Sequence, residues 1–298
     1  MGKQYSYNIG IPFDSIINDI KDQLICNCIN CIYYGNEINL LYDYNEDIKN
    51  LNNEDKKLYL EGKELNKEIY KENVEVYIND KKYNFNYKYK NDGLKEIKVK
   101  YKFKQKLTNT SFMFYKCKTL KSIDLSSFNS CNVENMSWMF ASCTSLKSID
   151  LSSLNTNNVK DMSFMFSSCT SLTSINLSKL NTSNVKDISY MFFDCSSLKS
   201  LNLSLFNSIN VKNMSYLFSS CTSLEFLDLS SFKINNVENM NYMFFNCIYL
   251  SSLDLSLFNT NNVKNMNYIF ESCYSLRKDK IKINNQKDRI LDQIRIYD

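Results

Sequence analysis

The sequence has no histidine, one proline and five glycines among its 298 residues. Without an imidazole, Ser-His-Asp and Cys-His catalysis and histidine-containing zinc sites are excluded. The glycines form no phosphate-binding loop, which excludes P-loops and dinucleotide fingerprints. No run of about 18 apolar residues occurs, so a membrane span is not expected. Composition therefore excludes these particular catalytic, zinc-binding and nucleotide-binding motifs.

Charge is balanced over the longest part of the chain. The net charge is +4, from 36 basic and 32 acidic residues, and residues 107–276 carry 11 of each sign. A nucleic-acid groove needs a basic track that neutralises phosphates. We therefore expect no nucleic-acid partner in this part of the chain.

A repeat of 26 residues dominates the sequence. A Phe-x-x-Cys element recurs at this spacing without insertion, with its phenylalanine at Phe114, Phe140, Phe166, Phe192, Phe218, Phe244 and Phe270 and its cysteine three residues later. A fixed period of this length predicts a solenoid in which each unit buries its apolar face against its neighbours.

Each unit carries two apolar patterns. In residues 146–152, Ile149 and Leu151 alternate with polar residues, as in a short strand. From Asn132 to Cys143 the apolar residues fall at helical spacing, with Asn132 as the N-cap. Strand, turn, helix and turn predict an α/β solenoid, a leucine-rich-repeat horseshoe with a parallel sheet on one face and helices on the other.

The unit also resembles a known family. Residues 143–151, Cys-Thr-Ser-Leu-Lys-Ser-Ile-Asp-Leu, follow the sequence Asn-Val-x-x-Met-Ser-Trp-Met-Phe. This arrangement is similar to the BspA-like leucine-rich repeats of microbial surface proteins, and the resemblance covers about residues 107–276. The resemblance implies a horseshoe that binds other macromolecules, often at a cell surface, without catalytic activity.

Three parts of the chain are expected. An N-terminal α+β cap domain covers residues 1–106, the solenoid covers 107–276, and a C-terminal cap covers 277–298. The first part is predicted to hold a helix over 12–34 and strands over 74–106, with a turn at Asn79-Asp80. A second helix is predicted over 287–296. Such caps cover the open ends of a solenoid.

Two columns of identical residues favour structural roles. The repeated cysteines are predicted to be buried free thiols, with disulfides or soft-metal binding as the alternatives. The repeated asparagines are predicted to form a buried amide ladder that hydrogen-bonds turn backbone, since identical residues in every turn discriminate no ligand. They are Asn132, Asn158, Asn184, Asn210, Asn236 and Asn262.

The outward positions of the strands supply the candidate binding residues. Stacked carboxylates attract cations or basic groups of a partner, which selects Asp124, Asp150, Asp228 and Asp254. Phe226, Leu205 and Leu257 replace polar residues of the repeat. Exposed apolar side chains within a polar surface favour an interaction site. A solvated polar face, with sequence drift at the apolar positions, is the alternative interpretation.

Two further patterns each leave two interpretations open. The aromatic column is either an exposed binding stripe or, if the helix is irregular, a set of rings that pack between neighbouring repeat units. It comprises Phe112, Trp138, Phe164, Tyr190, Tyr216, Tyr242 and Tyr268. The alternating lysines of residues 98–106 either meet an acidic partner, an anionic membrane face or nucleic acid, or protect an exposed sheet edge.

We therefore expect a non-catalytic repeat protein that binds a protein partner and needs no cofactor or metal. No secretion signal is recognised at the start of the sequence, so a cytoplasmic location is expected, with the cell surface as the alternative. Alternative functions are a surface adhesin and, less favoured, an Asp-based hydrolase, which would need one carboxyl group whose pKa differs from its neighbours. Nothing in the sequence indicates an oligomeric state.

Overall fold

The computed structural model describes residues 27–41, 72–91, 93 and 95–283. The regular secondary structure of these residues consists of β-strands and one short 3-10 helix, Lys278–Lys280. Most of the helix predicted over 12–34, and all of the one over 287–296, lie outside the described residues.

The N-terminal strands form a five-stranded sheet in the order β4-β3-β6-β1-β7. The five strands are β1 (Cys28–Tyr34), β3 (Val74–Ile78), β4 (Lys81–Tyr83), β6 (Glu96–Phe103) and β7 (Leu120–Asp124). Two other strands, β2 (Glu37–Asn39) and β5 (Lys88–Lys90), pair with each other. The strands predicted in 74–106 are confirmed, and Asn79 and Asp80 make the predicted turn with φ of 47° and 65°.

The helix predicted through residue 34 is wrong for its last seven residues, which form β1. Ile29, Cys31 and Tyr33 are buried, whereas Asn30 and Tyr34 are exposed. This alternation has the period of a strand. Cys28 and Cys31 also continue the apolar face of the predicted helix, so their spacing fits both structures.

The N-terminal sheet joins directly to the first repeat unit. Strand β1 pairs antiparallel with β7, which is the first strand of the repeat, and on its other side with β6. Behind this junction the buried carbonyl of Leu40 accepts hydrogen bonds from the hydroxyls of Tyr33 (3.0 Å) and Tyr101 (2.6 Å). The edge of β7 that faces away from later units is therefore covered by β1.

The later strands of the repeat pair in parallel. Beyond β7 they are β8 (Ser148–Asp150), β9 (Ser174–Asn176), β10 (Ser200–Leu201), β11 (Phe226–Leu227), β12 (Leu253–Leu255) and β13 (Ile281–Ile283). Strand β8 pairs with β9 and β10 with β11, in each case between residues 26 apart, such as Ser148 with Ser174. Strand β13 pairs with β12 two residues out of this register, because Leu253 lies opposite Ile281.

A second ladder of backbone hydrogen bonds occupies the part of each unit where a helix was predicted. The N–H groups of Trp138, Phe140 and Ser142 donate to carbonyls of the next unit at 3.0, 2.9 and 2.7 Å. Residues 132–143 contain turns and a single bridge residue at Asn135. The helix predicted from Asn132 to Cys143 is therefore wrong.

Two left-handed residues in each unit explain the absence of the helix. Trp138 and Ser142 have φ of 59° and 60°, and the equivalent residues of the other units have similar values. Right-handed helices do not contain such residues. From Trp138 to Ser142 the N–H groups of alternate residues face the next unit, so these N–H groups cannot form hydrogen bonds within residues 132–143.

The core consists of columns that run from unit to unit. The Phe-x-x-Cys phenylalanines are almost fully buried, and the rings of neighbouring units stack with centroids 5.5–6.0 Å apart. The thiols of Cys143 and Cys169 donate to the carbonyls of Phe114 and Phe140 at 3.1 and 3.2 Å. The cysteine column is buried and free, which confirms the structural interpretation.

We propose that these units are successive turns of one solenoid. The proposal rests on two parallel ladders with the same offset, together with side-chain columns that repeat in every unit. In this solenoid, pairs of parallel strands would lie on one face, and turns would take the place of the predicted helices on the other.

Replacing Ser142 by glycine should stabilise the protein by about 0.5–1 kcal/mol, because glycine adopts φ of 60° without a Cβ penalty. The matched control is Ser148→Gly in β8, which should cost a similar amount because that residue is extended. Urea unfolding of both variants tests this, and equal effects of the two substitutions would contradict it.

Alkaline conditions should destabilise the fold through its thiols. Burial raises the pKa of Cys169 and Cys221 to about 12, whereas an unfolded thiol titrates near pH ~8.5. The unfolded chain therefore loses these protons first, and the free energy of unfolding falls between pH ~9 and pH ~12 by up to about 1.4 kcal/mol per pH unit and thiol. Below pH ~8 both states keep the proton and the effect vanishes.

The Cys169→Ala variant should show a shallower loss of stability between pH ~8 and pH ~10.5 than the parent protein. Val159→Ala is the control because it shortens a buried side chain that carries no titrating group, and its slope should match that of the parent. A Cys169→Ala slope equal to the parent's would disprove this account.

Candidate functional site

The four candidate aspartates are bound to the backbone at the ends of the strands. In each, Oδ1 accepts the N–H of the serine two residues later, as in an Asx turn. The distances are 2.9 Å for Asp124, 2.8 Å for Asp150, 2.9 Å for Asp228 and 3.0 Å for Asp254. Asn176 and Asn202 accept the same bond at 3.1 and 3.0 Å. The column therefore needs an acceptor oxygen at this position, and not a charge.

These hydrogen bonds also set the ionisation of the carboxyl groups. Donation from the serine lowers the pKa of all four aspartates, since it stabilises the charged form. Acid–base catalysis by paired carboxyl groups requires their pKa values to be moved apart. The pKa of each of the four candidates is lowered, whereas a catalytic general acid needs a raised pKa.

The three apolar candidates are exposed. Phe226, Leu205 and Leu257 have relative accessibilities of 59%, 65% and 64%. Phe226 lies in β11, opposite Ser200 of the preceding strand. Leu205 and Leu257 follow the ends of strands and are separated by two repeat periods. Neither of the two described cavities is lined by any of these three side chains.

Exposed apolar side chains are concentrated in the later repeat units. Among the described residues, the large apolar side chains that are exposed are Tyr34, Leu205, Ile209, Phe226, Tyr249, Leu257, Tyr268 and Tyr274. All except Tyr34 lie in 205–274, and none lies in 107–204. Because the units share one backbone pattern, this difference arises from side chains alone.

The aromatic column forms a stack along the second ladder. Its rings are nearly parallel from Phe112 to Tyr268, with centroid separations between 3.9 and 5.5 Å. Six of the seven are partly buried, and Tyr268 is exposed. The interpretation that the rings pack between units is therefore confirmed. Because each interior ring covers the faces of its neighbours, a flat ligand meets mainly ring edges.

The asparagine column bonds backbone as predicted, but it is exposed. Asn184 and Asn210 donate from Nδ2 to carbonyls of the preceding unit at 2.7 and 2.6 Å. Both side chains face solvent, so the predicted burial is wrong. The turn places this column at the surface, while the valine that follows each asparagine enters the core.

Sequence reasoning missed a charged column beside the asparagines. It lies two residues after each asparagine and comprises Glu134, Lys160, Lys186, Lys212, Glu238 and Lys264. Together the two columns line a groove of about 580 Å³ that extends from Asn184 to Lys264. The repeat of a charged residue at this position was a signal in the sequence. It was missed because the sign of the charge varies along the column, so the residues are not identical.

The lysine-rich segment lies in the interior of the N-terminal sheet. Lys98, Lys100 and Lys102 are exposed on one face of β6, and β6 pairs on both sides, with β3 and β1. Protection of an exposed sheet edge therefore does not explain these lysines. Lys98 and Lys100 line a second cavity, of about 340 Å³, together with Asp80 and Asp124.

No group of three or more Cys, Asp or Glu side chains within the described residues is arranged to hold a metal ion. No helix in this part of the chain has the length and apolar character required to span a bilayer.

Comparison with protein families identifies the repeat. The family model described as "Mycoplasma protein of unknown function, DUF285" matches twice in tandem, over residues 84–204 and 193–293. These matches span more than half of the chain. The protein belongs to the DUF285 family. The tandem DUF285 matches make it a repeat protein, and they include β5, β6 and all the repeat strands. No curated protein and no solved structure matches the chain.

Two substitutions of Asp150 test whether the side chain is needed as a hydrogen-bond acceptor in the turn or for its charge. Asp150→Asn should change the free energy of unfolding by less than about 0.5 kcal/mol, because an amide oxygen accepts the Ser152 N–H as Asn176 does. Asp150→Ala leaves this N–H without its acceptor and should cost about 1 kcal/mol. Urea unfolding distinguishes the two, and an Asn variant as unstable as the Ala variant would refute the turn role.

Proposed function

We propose that this DUF285 protein is a non-catalytic leucine-rich-repeat protein of the BspA-like type that binds a protein partner through its later units. The observation that carries the proposal is the confinement of exposed apolar side chains in the repeat to residues 205–274. Exposed apolar side chains set in a polar surface are typical of protein interaction sites.

Folding of the repeat does not require these apolar side chains. Serine occupies the position of Phe226 in five other units, at Ser122, Ser148, Ser174, Ser200 and Ser252. The position of Leu205 and Leu257 holds serine or lysine elsewhere, at Ser127, Ser153, Lys179 and Ser231. Units with serine keep the same ladder hydrogen bonds. Exposed phenylalanine and leucine add nothing to this ladder, and a partner's surface would provide the burial that they lack.

The backbone ladders favour binding by a preformed surface. The turn ladder bonds each unit to the next, and at three junctions the strands also pair, β8 with β9, β10 with β11 and β12 with β13. A rigid scaffold reduces the conformational entropy lost on association. Affinity would then depend on a few exposed anchors held at fixed spacing.

Restoring serine at two anchors should abolish most of the binding. The double variant Phe226→Ser, Leu257→Ser should fold with unchanged stability, and it should lose at least about 30-fold in affinity, as expected for removal of one interface hot spot of about 2 kcal/mol. The partner is recovered from a cell lysate with the full chain as bait and purified, and its dissociation constant is measured by calorimetry.

The control for this experiment is Tyr34→Ser, which removes an exposed aromatic ring outside residues 205–274. Its affinity for the purified partner should equal that of the parent. Equal binding by the double variant, or an equal loss in the control, would disprove the assignment of the later units as the binding surface.

A further inference from the structure

We propose that the groove between the asparagine and charged columns binds an extended acidic segment of a partner protein. This site lies in columns that contain neither Phe226 nor Leu257, so it goes beyond the proposed function and is tested independently of it. The groove measures about 580 Å³ and is lined by Asn184, Lys186, Asn210, Lys212, Asn236, Glu238, Asn262 and Lys264.

The asparagine amides are held in fixed positions. Nδ2 of Asn184, Asn210, Asn236 and Asn262 donates to a carbonyl 27 residues earlier, at distances of 2.5–2.7 Å. The amide oxygen and the second N–H of these side chains have no hydrogen-bond partner within the described part of the chain. Each repeat unit therefore offers the groove one acceptor and one donor in a repeated orientation.

The charged column is equally fixed at the backbone. The N–H of Lys186 donates to Lys160, that of Lys212 to Lys186 and that of Glu238 to Lys212, all at 2.8 Å. One charged side chain therefore projects from each unit at the spacing of neighbouring strands, which is about 4.8 Å. Three consecutive members, Lys160, Lys186 and Lys212, carry the same charge.

The middle lysine lacks a counter-charge. Lys160 pairs with Glu134 at 2.7 Å, and Lys212 lies 3.9 Å from Glu238. Lys186 makes no ion pair with any described residue. Like charges stacked on adjacent strands repel one another, so an anionic group bound at Lys186 would supply a counter-charge that no described residue provides there.

The lining favours a peptide over other anionic polymers. Asparagine amides match the donor and acceptor of a peptide backbone, and the lysines match its carboxylate side chains. The lining contains no aromatic ring, whereas single-stranded nucleic acids are bound by stacking their bases on such rings. Three lysines against one glutamate give a modest positive charge, which fits an acidic peptide of mixed composition.

The probe is a fluorescent 12-residue peptide of alternating glutamate and serine, titrated into the full chain at low salt and followed by anisotropy. We expect saturable binding that weakens as salt is added. Lys186→Glu should weaken it at least about tenfold, because the favourable charge is replaced by a repulsive one. Lys147→Glu, the same charge change at an exposed position outside the groove, should leave binding within about twofold of the parent.

Three outcomes would overturn the proposal. They are the absence of saturable binding, equal weakening by the two charge reversals, and tighter binding of inorganic polyphosphate at Lys186 than of the peptide, which would assign the groove to a general polyanion. The Phe226→Ser, Leu257→Ser variant should bind the peptide normally, so failure of this site and failure of the proposed function are distinguishable.

Discussion

Hydrogen bonding between the backbones of neighbouring units is the constraint from which most of the structure follows. Alternate N–H groups from Trp138 to Ser142 must reach carbonyls 25 residues further along the chain. This alternation requires left-handed residues at both ends of the segment. A residue inserted among these donors would put them out of register with the acceptors of the neighbouring unit at that junction, and the 26-residue period contains no insertion from Phe114 to Phe270.

The same constraint explains the aromatic stack. A bulky residue such as Trp138 is unfavourable at φ of 59°. The same backbone conformation places the centroid of its ring 3.9 Å from that of Phe164 in the next unit. Stacking and partial burial offset the backbone strain, and glycine would remove the strain only by losing the contact. The stack is thus a consequence of how the turn ladder is built.

Periodicity predicted the strands but not the turns. Ile149 and Leu151 alternate with polar residues, and only a strand has that period. Val133, Met136, Met139 and Phe140 fall at helical spacing, yet this spacing shows only which side chains are buried. It does not show whether an N–H bonds within its segment or to another unit, because that depends on neighbours 26 residues away. Strand β1 was missed for a related reason, since Cys28 and Cys31 fit a helix as well as a strand.

The candidate site was predictable where one unit differs from the others. Phe226, Leu205 and Leu257 stood out because serine or lysine fills their positions elsewhere, and the structure places all three at the surface. The aspartates were predicted only as a charged surface, and their bonds to the turn backbone were missed. The asparagines at 176 and 202, each followed two residues later by a serine, were the signal for a shared turn. Lys186 was missed because its column contains both lysine and glutamate, so it does not repeat one residue type from unit to unit.

The antiparallel contact between β1 and β7 involves the first unit alone. Gain or loss of a complete 26-residue unit between β8 and β12 would leave that contact untouched and would preserve the donors and acceptors of the ladders. The number of repeat units can therefore change genetically, by unequal recombination between nearly identical repeats. The remaining units would keep the same fold.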